Sequence, residues 1–161
     1  IAAGFLGDGC WGVDWPYKSS LSGETCAELA ADFEKRMNRQ WTLPIGMHYP
    51  LGEWLNDIVK RCPNLDDKNE IMATIKTTHI ETVSGAIHFD EPVGTGLVEE
   101  GKYPEGRHIY ENAYCFPFVI GQWVPGEKYK FDFYTIDASL EDDIKPSKEF
   151  QQLAEINPAY Q

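Results

Sequence analysis

The sequence predicts a mixed α/β fold, with helices in the first half and strands in the second, on two observations. In the stretches 26–37 and 51–62 apolar residues recur at steps of three and four, the spacing of a helix packed on one side. From Phe116 to Thr135 the chain is instead strand-like and broken by the turn residues Pro125-Gly126-Glu127. A length of 161 residues makes one ordinary domain or part of a larger one, enough to bury a core without disulfide staples.

Taken in order, Ile1 to Leu6 is a short apolar stub, followed by a glycine-rich turn at Gly7-Asp8-Gly9. Cys10 to Tyr17 carries Trp11, Trp15 and Tyr17 in an extended stretch, because Pro16 biases the residue before it away from helix. Ser22-Gly23-Glu24 reads as a cap for a first helix, whose buried stripe is Cys26, Leu29, Ala30, Phe33 and Met37 and which ends near Asn38. A second helix starts near Gly46, presents Leu51, Trp54, Leu55, Ile58, Val59 and Cys62 as its apolar stripe, and stops at Pro63. Asp67 with Glu70 is a capping-box variant opening a third helix through Ile75.

The period then changes. Ile80, Thr82 and Val83, and after Ser84-Gly85 the residues Ala86, Ile87 and Phe89, lean toward strand. Pro92 to Gly106 reads as an exposed loop. Phe116–Val124 and Lys128–Thr135 form a hairpin with one buried face, since Tyr129, Phe131, Phe133 and Thr135 alternate with Lys128, Lys130, Asp132 and Tyr134. The acidic tail carries a weak helix around Phe150 to Ile156.

Net charge is −12, from 26 acidic against 14 basic residues, with no Lys/Arg stripe to neutralise phosphates, which argues against a nucleic-acid partner. Cys10, Cys26, Cys62 and Cys115 form no C-x-x-C and have no histidine at ligand spacing, so no metal site is expected. Whether they pair in disulfides or Cys26 and Cys62 are simply small buried hydrophobes stays open. His48, His79, His88 and His108 are scattered, and no serine sits in a nucleophile elbow, so no reaction is indicated and an enzyme is not expected. Gly7-Asp8-Gly9-Cys10-Trp11-Gly12 has the spacing of a dinucleotide loop, but Val13-Asp14-Trp15-Pro16 comes next where a helix must open, so no cofactor is expected.

Four stretches, in one order along nearly the whole chain, carry a resemblance. They are Trp15-Pro16-Tyr17-Lys18-Ser19-Ser20-Leu21-Ser22-Gly23, Ala27-Glu28-Leu29-Ala30 with Gln40-Trp41-Thr42-Leu43-Pro44, Asp66-Asp67-Lys68 through Thr82-Val83-Ser84-Gly85, and Asn112-Ala113-Tyr114-Cys115 to Gly121-Gln122-Trp123. In these the chain resembles the C-terminal portion of type I periplasmic solute-binding proteins of branched-chain amino-acid ABC transporters. The resemblance implies two Rossmann-like α/β lobes with a ligand clamped between them, of which this chain is less than half. Residues 1–24 would be a hinge crossing, 25–78 a helical part, 79–137 strands and hairpin, and 138–161 a tail.

It further implies an amino acid or a related small carboxylate or aromatic ligand, met by Trp15 of the hinge motif and by Tyr49 with His48 at the second helix, with Trp11 a further candidate. The implied partners are an ABC permease and an upstream portion of the same protein, or failing that a second copy of this chain, in a periplasmic or extracellular setting. The alternative is a ligand-sensing or protein-interaction domain of the same fold without a transport role. Two departures stand out: a shorter hinge stretch, and an apparent insertion at Pro92 to Arg107.

Overall fold

A computed structural model describes residues 4–89 and 116–156. Its order is β1 (Leu6–Gly9), α1 (Cys26–Met37), α2 (Leu43–Arg61), α3 (Lys68–Lys76), β2 (His79–Thr82), β3 (Gly85–His88), β4 (Val119–Pro125), β5 (Phe131–Asp137) and α4 (Leu153–Ile156). The mixed α/β reading holds, with the helices ahead of the hairpin. The named strands pair antiparallel throughout, in a three-stranded sheet β1-β4-β5 and a two-stranded ribbon β2-β3. A parallel Rossmann-like sheet is therefore not formed by the described strands. The expected loop at 92–106 and Cys115 lie outside the described residues.

The chain entry differs from the expected stub and turn, for Leu6 to Gly9 is a strand laid against β4, Leu6 opposite Gln122 and Gly9 opposite Val119. Glycine is disfavoured in strands for want of a side chain to pack. Here the bare backbone is what the sheet needs, because a Cβ on Gly9 would press on Val119 and Phe133, and one on Gly121 would overlap the Phe133 ring. Phe133 thus lies across two glycines from neighbouring strands, with Trp123 5.2 Å away on β4. The glycine triplet opens no helix. Strand β5 is half-buried over most of its length instead of alternating cleanly. The buried Gln122 side chain donates to the Gln151 carbonyl at 2.9 Å and accepts from its N–H at 3.0 Å, pinning the tail to the sheet.

Helix α1 is capped one residue later than expected. The Thr25 hydroxyl accepts from the Glu28 N–H at 3.2 Å and the Glu28 carboxylate accepts from the Thr25 N–H at 2.8 Å, a reciprocal capping box. Those bonds hold the Glu28 carboxyl below its ordinary range. The helix closes on Asn38 in the left-handed region, φ 50°. Its stripe buries Cys26, Leu29 and Ala30, while Met37 is exposed.

Helix α2 begins at Leu43, three residues before the expected start, with Pro44 in the first turn, where a missing N–H costs nothing. Its expected stripe is split. Ile58 is buried, but Leu51, Leu55 and Val59 are exposed, while Gly46, Pro50 and Glu53 face inward. The cause is Trp11, whose indole lies on the backbone of Gly46 where any Cβ would collide, so the glycine must face the core. The residues four and seven steps on, Pro50 and Glu53, share its face. Cys62 is the extended C-cap before Pro63, not part of the stripe. Asp67 caps α3 by accepting from the Asn69 N–H at 2.8 Å. Arg61 joins α2 to the end of α3, donating to Asp57 at 2.6 Å and to the Thr74 carbonyl and Thr78 hydroxyl.

One core unites these parts: Trp11, Trp15, Cys26, Leu29, Ala30, Trp41, Val83, Val119, Ala138 and Ile144. Cys10, Cys26 and Cys62 are free thiols. Cys26 is fully buried and donates to the Val83 carbonyl at 3.3 Å; burial pushes its pKa up to about 12. No helix among the described residues is long and apolar enough to cross a membrane.

Candidate functional site

The extended Cys10–Tyr17 stretch drives two indoles inward, Trp11 and Trp15, each nearly fully buried. Trp11 meets Trp41 from the α1–α2 connection at 5.5 Å between ring centroids. Trp41 in turn receives Phe33 of α1 edge-on at 5.2 Å and Tyr49 of α2 at 6.1 Å. Edge-on and tilted aromatic pairs at such distances are mutually attractive beyond the area they bury, so Trp41 is held from three sides.

Beyond Trp11 and Trp41 opens a cleft of about 360 Å³ between α1 and the free end of the β4–β5 hairpin. The size falls in the range of small-molecule sites. Ala27, Ala30 and Ala31 form its helical wall, and their small side chains leave the space that Trp123, Tyr129 and Phe133 frame from the other side. Its polar groups are mostly engaged with one another. Lys128 pairs with Glu34 at 2.6 Å across the rim, which raises the lysine's pKa. Glu34 also accepts from the Trp41 backbone N–H at 3.1 Å, and Gln40 donates to the Phe131 carbonyl and to Asp132. These bonds tie α1 and its exit to the hairpin and fix the width of the cleft.

Trp11 and Trp41 line the cleft with ring carbon rather than with their N–H groups. Both indole nitrogens are buried away from the cavity, and the Trp11 N–H lies against the buried Cys26 sulfur. The Trp15 indole nitrogen is buried as well, away from the cleft. Among the described residues no Ser, Cys or His lines the cleft, and no group of three metal-ligating side chains occurs.

The expected ligand contacts are not gathered in one place. Trp11 lines the cleft. Trp15 stacks edge-on to Tyr17 at 6.0 Å, inside the core. His48 is exposed, its Nδ1 2.6 Å from the Pro44 carbonyl one turn back. Tyr49 is half-buried, its hydroxyl 3.2 Å from the buried Ser19 hydroxyl and its ring behind Trp41.

Sequence reasoning missed Trp41 and Glu53. Glu53 is 1% exposed, and its carboxylate accepts from the Ser20 N–H at 2.6 Å, the Ser20 hydroxyl at 3.1 Å and the Val83 N–H at 3.1 Å. The available signal was its place four residues after Tyr49, on the same helical face.

No family model matches the chain, and no curated protein sequence matches it. Among solved structures, the crystal structure of the leucine-, isoleucine-, valine-, threonine- and alanine-binding protein from Brucella ovis in its closed conformation is similar over 94% of this chain, with 15% identity and a TM-score of 0.49. The chain spans 35% of that protein's length.

Proposed function

We propose that this chain is the C-terminal portion of an extracytoplasmic solute-binding component of an ABC importer, holding an amino acid or a related small carboxylate or aromatic ligand. The observation that carries the ligand is the aromatic cleft of about 360 Å³, walled by the alanines of α1 and framed by Trp11, Trp41, Trp123, Tyr129 and Phe133. The apolar part of the ligand lies against these rings, and its polar end meets the Lys128–Glu34 pair at the rim. The four sequence stretches that carry the resemblance support the transport setting, with an ABC permease and an upstream lobe as partners.

In this reading Trp11 touches the ligand and Tyr49 positions Trp41 from behind. Trp15 and His48 serve the hinge and the face turned to the upstream lobe. The test is a calorimetric titration of the chain, and of the longer receptor that contains it, against a panel of amino acids and small aromatic acids. Saturable binding of at least one member is expected. Trp123→Ala, which removes one ring from the frame of the cleft, should weaken it about tenfold, equivalent to about 1.4 kcal/mol. Tyr49→Ala should weaken it far more than it lowers the melting temperature. A flat response to the whole panel, or unchanged affinity in Trp123→Ala, overturns the proposal.

A further inference from the structure

The β2–β3 ribbon places two histidines opposite each other. His79 and His88 are register partners, so their side chains leave the same face of the ribbon. Their rings meet edge-on with centroids 3.9 Å apart, and the two Nδ1 atoms are 3.1 Å apart at an exposed position. In the sequence they stand nine residues apart and show no ligand spacing; the ribbon's register is what joins them. Glu81, two residues along β2, is exposed on the same side of that strand.

At present one imidazole nitrogen serves the other, which requires one ring to offer an N–H and the other a lone pair. The same separation suits a shared metal ion. Two nitrogens 3.1 Å apart, each at the usual zinc–nitrogen length of ~2.0–2.1 Å, subtend about 100° at the metal. That lies between the square-planar and tetrahedral angles, and a small turn about each broad χ2 aims both lone pairs at one point. We infer that His79 and His88 form a two-imidazole chelate for a late first-row divalent ion, Cu²⁺ ahead of Zn²⁺ by the usual order of affinities. The ion takes the place of the proton between the two Nδ1 atoms, and that proton leaves to the solvent or to its own ring's Nε2. Among the described residues no group of three His, Cys, Asp or Glu side chains occurs that closes the set.

The test titrates the intact chain with Cu²⁺, and separately Zn²⁺, following the imidazole proton resonances and the heat of binding. One equivalent of Zn²⁺ should shift the signals of both His79 and His88 together. His79→Gln and His88→Gln, each on the outer face of the ribbon, should each weaken binding at least tenfold while leaving the far-ultraviolet circular dichroism unchanged. Ion binding to the native state alone should also raise the urea midpoint of the parent chain and not that of either variant. No saturable binding at millimolar ion, or wild-type affinity in both variants, overturns the inference. So does a Zn²⁺ shift confined to other histidines.

Discussion

Glu53 is a buried carboxylate held by two backbone N–H groups and a hydroxyl. A polar group in that setting is tolerated only through such donors. It fastens the Ser19–Gly23 turn and the residue after β2 to α2, beside the hydroxyl contact between Ser19 and Tyr49. Glu53→Ala removes the acceptor and strands the Val83 N–H in the core, so we expect a loss of about 3 kcal/mol. The urea midpoint should fall with the slope unchanged. Glu53→Gln keeps the shape and one acceptor oxygen and should lose less. A helical period reports apolar side chains, so apart from its place four residues after Tyr49 nothing marks Glu53 as inward. A glutamate turned inward by a glycine seven residues earlier is invisible to that period.

At the scale of elements, α1 is the part whose sequence and structure agree most closely. Its stripe from Cys26 to Phe33 matches the expected helix, and Met37 alone departs from it. Thr25→Ala opens the capping box and should destabilise the protein by about 1 kcal/mol, read as a lower melting temperature with α1 otherwise intact. Thr25→Ser should restore most of the loss. The hairpin was legible because its turn and its β-rich flanks agree. Strand β1 was not. Gly7 and Gly9 spell a turn in isolation, and only the pairing with β4, with Phe133 laid against Gly9 and Gly121, makes them a strand. The α2 stripe misled for a related reason: local period cannot reveal that Trp11 claims the Gly46 face. Of the cleft, Trp11 stands out in the sequence as part of the aromatic extended stretch, whereas Trp41 draws its place from three neighbours far apart in the chain.

At the scale of the molecule, Leu51, Leu55 and Val59 stand one turn apart on α2 and are 49%, 60% and 49% exposed. Such a contiguous apolar row is an association hazard. The chain by itself should therefore form dimers or larger species in light scattering at micromolar concentration. Leu55→Lys should return it to a monomer without lowering its melting temperature. If the unaltered chain is a monomer with a cooperative melt, the row needs no cover. The long-range acidic charge, −12 in total, opposes such self-association and should make it grow with salt.

The placement of Phe133 over Gly9 and Gly121 has a spectroscopic consequence. Protons held above the face of an aromatic ring feel its circulating electrons and resonate well upfield. The α-protons of these two glycines, on strands from opposite ends of the chain, should both be displaced by the same ring. Return of the Gly9 signal to ordinary frequencies, with Gly121 still displaced, would report, without any added label, the moment at which the amino-terminal strand leaves the sheet.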